Sequence, residues 1–486
     1  MRTAAKHTSR HLAILLTIAA WSIILPAQTA WADATSQPAS QPASQPASQP
    51  SSQPASQPAS APATQDAAAT SEPATTQATD EGPKEYLAVI NGRVHTVTGP
   101  VLDRATVLSK EGVIVAIGTD VQLPPECQVI DADGMYVYPG LIAANAAGIH
   151  GGGNPEDSTD VFSLSMNIAL AGGITTAVTG TTAAKLTFGT TENMLLRSDL
   201  FVRIGYSPNN PLARAELRSD LERVRTYLRD VEKYEREKQK DEDAKAPEKE
   251  WLKGKYEKYR QLLQHQAVAS ATANQTQELR DLVELATTFG FELVVYGAYE
   301  GWTVASELGR AGVAAVVSPR VDGTFGSSVE PDVRLNRPNG PSIENARILR
   351  EHGVPVATVP STSMITLWGL AGRDLLHLNM EAAFAVRGGL SNEAALETIT
   401  IDAARVLRLD DRIGSLEVGK DADIVVCDGD ILHYMTQVHY TVVNGRVAYR
   451  KAEDTLFAHI RPEGRPVVPQ FDDQWPRRLA WPDADE

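Results

Sequence analysis

The side chains in this sequence that could do chemistry are histidines, serines and a pair of cysteines, and each points to a different reaction. Of the 10 histidines, His7 and His11 lie in a basic and apolar N-terminal stretch, leaving His95, His150, His265, His352, His377, His433, His439 and His459. His352 precedes Gly353 at a helix end, and His433 and His439 sit in a C-terminal β region, so these three read as surface or structural groups. His150 opens the run His-Gly-Gly-Gly153 and is the one placed to reach a pocket mouth. Alone it cannot hold a catalytic metal, which ordinarily takes about three protein ligands. Ser361 and Ser363 with His150 would pair a hydroxyl nucleophile with a base, although chance commonly puts a serine and a histidine in one fold. Cys127 and Cys427 are the only cysteines, which excludes a cysteine-based metal cluster. They leave two readings open, a single disulfide staple or two buried thiols.

The elements that must position these groups follow from composition and pattern. With 486 residues, 42% of them hydrophobic, the chain can bury a sizeable core, as one large domain plus a smaller one. The net charge of -16 gives an overall field that repels nucleic acid and anionic lipid, so neither is expected as a partner. Residues 1–32 read as an export signal: Arg2, Lys6 and Arg10 precede an apolar run over 12–26, and Ala30-Trp31-Ala32 resembles a cleavage site. A periplasmic or secreted protein is expected, without a membrane span once the signal is cleaved. Residues 33–83 repeat a Ser-Gln-Pro-Ala unit with almost nothing to bury and read as a disordered tether.

Order is expected from Tyr86. Residues 87–90, the pair Asn91-Gly92 and residues 94–97 read as a strand, a tight hairpin turn and a second strand. Residues 113–117 and 129–131 continue the pattern, and 423–426 and 441–443, the latter followed by Asn444-Gly445, repeat it near the other end. Residues 84–138 and 405–450 are therefore expected to build one composite β-sandwich domain. Between them, residues 139–404 alternate apolar runs (174–178, 293–295, 313–317, 354–357) with helical stretches, the pattern of an α/β fold with a (β/α)8 TIM-type barrel. Residues 211–265 interrupt it. Leu217, Leu221, Val224, Leu228 and Val231 recur at intervals of four and three, and a second helical stretch at 251–263 completes a helical hairpin. It serves either as a lid or docking arm, or as a decoration packed on its own seam. Residues 451–486 form a tail in which Trp475 and Trp481 suggest packing against the body.

Several segments carry a resemblance. Asp131-Ala-Asp-Gly-Met-Tyr-Val-Tyr-Pro-Gly-Leu-Ile142, Ala171-Gly-Gly-Ile-Thr-Thr176, Gly389-Leu-Ser-Asn-Glu-Ala-Ala395, residues 398–407 and Arg412-Ile-Gly-Ser-Leu-Glu-Val-Gly-Lys-Asp-Ala-Asp-Ile424 resemble the amidohydrolase superfamily. The closest flavour is that of imidazolonepropionase-like and related exported amidohydrolases. The resemblance frames residues 84–450 and implies a barrel that hydrolyses non-peptide carbon–nitrogen bonds with a divalent metal. In that family Pro-Gly-Leu-Ile usually continues into Asp-Ala-His-X-His, whereas Ala143-Ala144-Asn145-Ala146-Ala147 stands here, with Asn145 and Ala147 in the imidazole places. Neither side chain is a good zinc ligand. The two later metal histidines correspond to stretches 267–274, where Ser270, Thr272 and Asn274 are the only polar side chains, and 294–299, which offers Tyr296 and Tyr299. The stretch matching the family's aspartate, 356–364, holds no carboxylate, and Ser361 or a neighbour takes its place.

The resemblance thus implies a pocket at Asn145, Ala147, Thr272, Asn274, Tyr296 and Ser361, with His150 at its mouth and no cofactor. A non-catalytic homologue that binds a small molecule or a partner is the expected function. One alternative is an active metal-dependent amidohydrolase, with zinc held by an unrecognised ligand set. Another is an inert subunit that docks on a catalytic paralogue through the helical hairpin.

Overall fold

The computed structural model describes residues 85–240, 244–320, 339–365 and 374–453. The expected signal (1–32), the tether (33–83) and the tail beyond residue 453 lie outside them. Strands β1 (Tyr86–His95), β2 (Val101–Lys110), β3 (Val113–Gly118), β4 (Gln128–Asp131) and β5 (Tyr136–Pro139) come first. Next come β6 (Leu141–Ala143), β7 (Ile174–Thr179), β8 (Thr182–Lys185), β9 (Leu195–Arg197) and β10 (Phe201–Arg203). After a helical segment follow β11 (Val268–Ala273), β12 (Leu293–Gly297), β13 (Ala314–Val317) and β14 (Val356–Thr358), and the chain returns through β15 (Ile424–Cys427), β16 (Val438–Val443) and β17 (Arg446–Arg450).

Strands from both ends of the chain share one eight-stranded sheet in the order β17-β16-β15-β5-β1-β2-β3, with β4 also on β1. The strands expected to build the composite β domain are thus hydrogen-bonded in one sheet, and Leu87, Val107, Ile130, Val137, Ile424 and Val442 form a core of its own. The expected Asn91-Gly92 hairpin is corrected, because β1 runs straight through the pair. Asn91 takes a φ of 56°, and the register with β2 shifts on either side of Gly92, so the pair makes a bulge. Glycine is required there: a Cβ would come within 2.4 Å of Val137 Cγ2. The bulge lets one half of β1 pair with β4 and the other with β5. Asn444 and Gly445, with φ of 49° and 70°, do make the two-residue hairpin loop, joining Val443 to Arg446.

The intervening strands alternate inside and outside with the period of two that a strand imposes. Outward residues such as Val202, Ala269, Val295, Ala315 and Val356 join a core with Leu279, Leu282 and Leu285 of the helix Thr276–Phe289. Inward residues Ile142, Val178, Phe201, Val294, Val316 and Ala357 form a separate core with Ala403, Ala404 and Leu407 of the helix Ile401–Leu407. Among the described residues the strands do not close into the expected eight-stranded ring. Five parallel strands, β10-β11-β12-β13-β14, form one sheet, and β6-β7-β8-β9 form another. Among the described residues isolated hydrogen bonds, not a ladder, connect their edges. Leu200 N–H donates to Thr181 O on one side; on the other, Ile142 and Thr358 donate to the neighbouring carbonyls of Ile399 and Thr398, and Ala147 donates to Ser363 O. Strands of three residues such as β6, β10 and β14 are too short to lay a longer ladder.

Lys185 closes β8. Its side chain is wholly buried and pairs with Asp421 at 3.0 Å and with Asp423, which ties this strand to the return segment ahead of β15. The inserted hairpin consists of the helices Pro211–Lys238 and Lys255–Leu263. It packs on more than its own seam: Leu217, Leu221 and Leu262 belong to the outer core, and Arg214 and Arg218 pair with Asp281 and Glu284 of the helix Thr276–Phe289, each at 3.0 Å. The two cysteines are not joined. Cys127 Sγ faces Gln128 O at 3.4 Å, and Cys427 Sγ, whose ionisation is suppressed by burial, faces Gly429 O at 3.2 Å. No helix among the described residues is long and apolar enough to cross a membrane.

Candidate ligand-binding site

A cavity of about 350 Å³ opens where the parallel strands end. The inward face grades along each strand from apolar to polar, because the same period-two face that carries Val268 and Val294 carries Ser270, Thr272 and Tyr296 one pair further on. Parallel register sets these residues side by side: Arg203 lies opposite Ser270, and Thr272 opposite Tyr296. Asn145 follows β6, Gly180 follows β7, Ser318 follows β13 and Ser361 follows β14, and all four line the same cavity.

The structure therefore brings Asn145, Thr272, Asn274, Tyr296 and Ser361 together. It does not bring in Ala147, whose N–H is spent on Ser363 O at 2.8 Å, a bond that fixes the loop after β6. Nor does it bring in His150. That imidazole is buried at 5% exposure, its Nδ1 lies 2.8 Å from Gly151 O and its Nε2 3.1 Å from Ala177 O. Each ring nitrogen faces a backbone carbonyl, to one of which the ring N–H of a neutral imidazole donates, so His150 is packed between its own glycine-rich loop and β7 and does not line the cavity beside Ser361.

Tyr296 spans the cavity floor. Its phenol donates to Ala144 O at 3.4 Å, and its ring meets Phe201 edge-on at 6.3 Å. Burial raises its pKa above the ordinary value of 10.0, and the charge of Arg203 opposes that rise. Asn274 is held from behind: the Glu278 carboxylate accepts from the backbone N–H groups of Asn274 and Gln275 at 2.7 and 3.1 Å, and Glu300 N–H donates to Asn274 O at 2.9 Å. Glu300, buried at 3% exposure, accepts from the N–H and hydroxyl of Thr276 at 2.7 and 2.8 Å. The nearby carboxylates thus cap the helix Thr276–Phe289 and do not face the cavity. Among the described residues no three His, Cys, Asp or Glu side chains gather closely enough to hold a metal ion.

Arg203 and Ser318 escaped the sequence reading. Arg203 ends a strand of only three residues, just before the inserted hairpin, and no periodicity marks so short a run. Among the described residues it is the one charged side chain lining the cavity, and it has no ion-pair or hydrogen-bond partner.

Comparisons with known proteins agree with this architecture. A model of the amidohydrolase family matches residues 264–449. The imidazolonepropionase of Mesorhizobium japonicum is 30% identical over 148 residues, which is 30% of this chain and 31% of that protein. The imidazolonepropionase of Pseudomonas aeruginosa is 38% identical over 124 residues, 26% of each chain. These matches span less than a third of either relative's length. The crystal structure of an amidohydrolase from Thermotoga maritima superposes with a TM-score of 0.59 at 21% identity, covering 75% of this chain and 100% of that one. This likeness implies a fold of the TIM-barrel type with an added domain. The family match runs from just before β11 through the return into the small sheet, taking in the motifs at 389–395, 398–407 and 412–424, and over this segment the chain is similar to the amidohydrolase family.

Proposed function

We propose that this protein binds a small polar molecule in the mouth of its barrel and has no metal-dependent hydrolase activity. The lining of the cavity carries the reading. Among the described residues its polar side chains are hydroxyls, amides, the phenols of Tyr296 and Tyr299 and one guanidinium, with no imidazole, thiol or carboxylate. Neutral oxygens and amides bind zinc poorly, and a guanidinium in the same lining repels a dication, so the family's metal does not fit this donor set. Without it, nothing in the lining would ionise a water at neutral pH. The concave site at the strand ends is retained and is of a size for a small ligand.

Elemental analysis of the purified chain, dialysed against zinc and then against buffer, tests the reading. Well under one equivalent of metal is expected, and tightly held zinc at about one equivalent would overturn it. Residues 1–32 belong to the same proposal as an export signal that would place the pocket outside the cytoplasm. N-terminal sequencing of the mature protein should begin after Ala32.

A further inference from the structure

We infer that the cavity selects a small monocarboxylate, with Arg203 as its anchor. The inference rests on the binding reading above and names the ligand class for the same site. Three observations carry it. Among the described residues Arg203 is the single charged side chain lining the cavity, and it has no ion-pair or hydrogen-bond partner there. In a chain with a net charge of -16, an unneutralised cation inside a cleft is a local attraction against the overall field. Finally, register places Arg203 opposite Ser270, so a hydroxyl stands beside the guanidinium on the inward face.

A planar guanidinium matches a carboxylate through two parallel N–H···O bonds. One such group, with no lysine or second arginine among the described residues of the lining, suits a single negative charge better than a doubly charged phosphate. Thr272, Ser318, Ser361 and Asn145 surround the remaining volume, so the body of the ligand should carry hydrogen-bonding groups such as an amide. An apolar tail would leave those groups unpaired.

The experiment uses the full mature chain at low ionic strength and titrates a panel of small monocarboxylates, each beside its uncharged primary amide, N-acetylglycine with N-acetylglycinamide among them. At least one acid should bind about tenfold or more tighter than its amide. Arg203→Met should erase that preference, and Arg203→Lys, which keeps the charge and loses the fork, should retain part of it. Because Arg203 is exposed, both variants should melt as the parent does. Acid and amide binding alike, an undiminished preference in Arg203→Met, or no binding by any acid would each overturn the inference. A zinc determination on the same samples keeps the two readings apart: bound metal strikes at the reading of the preceding subsection, while the acid-to-amide ratio and its loss in Arg203→Met judge the inference alone.

Discussion

Replacing Lys185 by methionine should be among the most damaging single changes in the protein. The ammonium is 0% exposed and serves two carboxylates, Asp423 at 6% exposure and Asp421 at 12%. Asp421 keeps a second cation in Arg412, at 2.8 Å. Among the described residues Asp423 keeps only the backbone N–H of Asn444, at 3.0 Å. Methionine matches the length of the aliphatic stem, so the loss is mainly electrostatic: a carboxylate left buried and uncompensated costs about 3–5 kcal/mol. Against a total stability of about 5–15 kcal/mol, that is a third or more of a typical margin. Urea denaturation followed by tryptophan fluorescence and circular dichroism gives the difference. The double variant Lys185→Met with Asp423→Asn removes the stranded charge and should regain at least about 1 kcal/mol of the loss. A loss below about 1 kcal/mol in the single variant, or no recovery in the double, would refute the view that this buried triad ties β8 to the return segment.

Further outcomes follow from other sites. His95 stacks on Tyr138 at 4.5 Å, and its pKa is lowered from 6.5, first by burial and then by the charge of Arg93, against the opposing pull of Asp430, Asp103 and Glu393. The unfolded chain therefore takes a proton that the folded one refuses, and stability should fall as pH drops from about 6.5 toward the lower folded value. Denaturation on both sides of that window should show a weaker pH dependence in His95→Phe; an equal dependence would rule out His95 as the source. In the hairpin, Leu221→Ala at a fully buried core position should cost about 2–5 kcal/mol. Leu228→Ala, at a half-buried one, should cost clearly less, and equal losses would contradict the packing described. Gly297 takes a φ of 96°, and a Cβ there would lie 2.1 Å from Asn274 Oδ1, so Gly297→Ala should cost about 1–3 kcal/mol and disturb the cavity wall. A melting temperature unchanged from the parent would show that the wall yields freely.

Residue types alone made much of the site legible. The stretches 143–147, 267–274 and 356–364 hold no imidazole or carboxylate, a fact of covalent chemistry that no folding can alter. Parallel strands 293–297 and 314–317 were readable because a short apolar run between helices has few other uses. Arg203 was not readable, since its significance lies in what is missing around it, and the absence of a partner is a property of three-dimensional neighbours. His150 misled for the same reason: its spacing after β6 places it near the cavity, yet its ring is buried against the carbonyls of Gly151 and Ala177.

The two Asn-Gly pairs separate the two levels most clearly. Sequence determined that both pairs would tolerate positive φ, and at residues 444–445 local preference and pairing agree on a hairpin. At residues 91–92 the same preference was overruled, because the contacts on either side of β1, with β2 across one edge and β4 and β5 along the other, bury more by a continuous bulged strand than a turn would. Hydrogen-bond partners far along the chain decided that outcome, as they decided which strand ends meet around the cavity, since pairing energy is shared between segments that no local pattern connects.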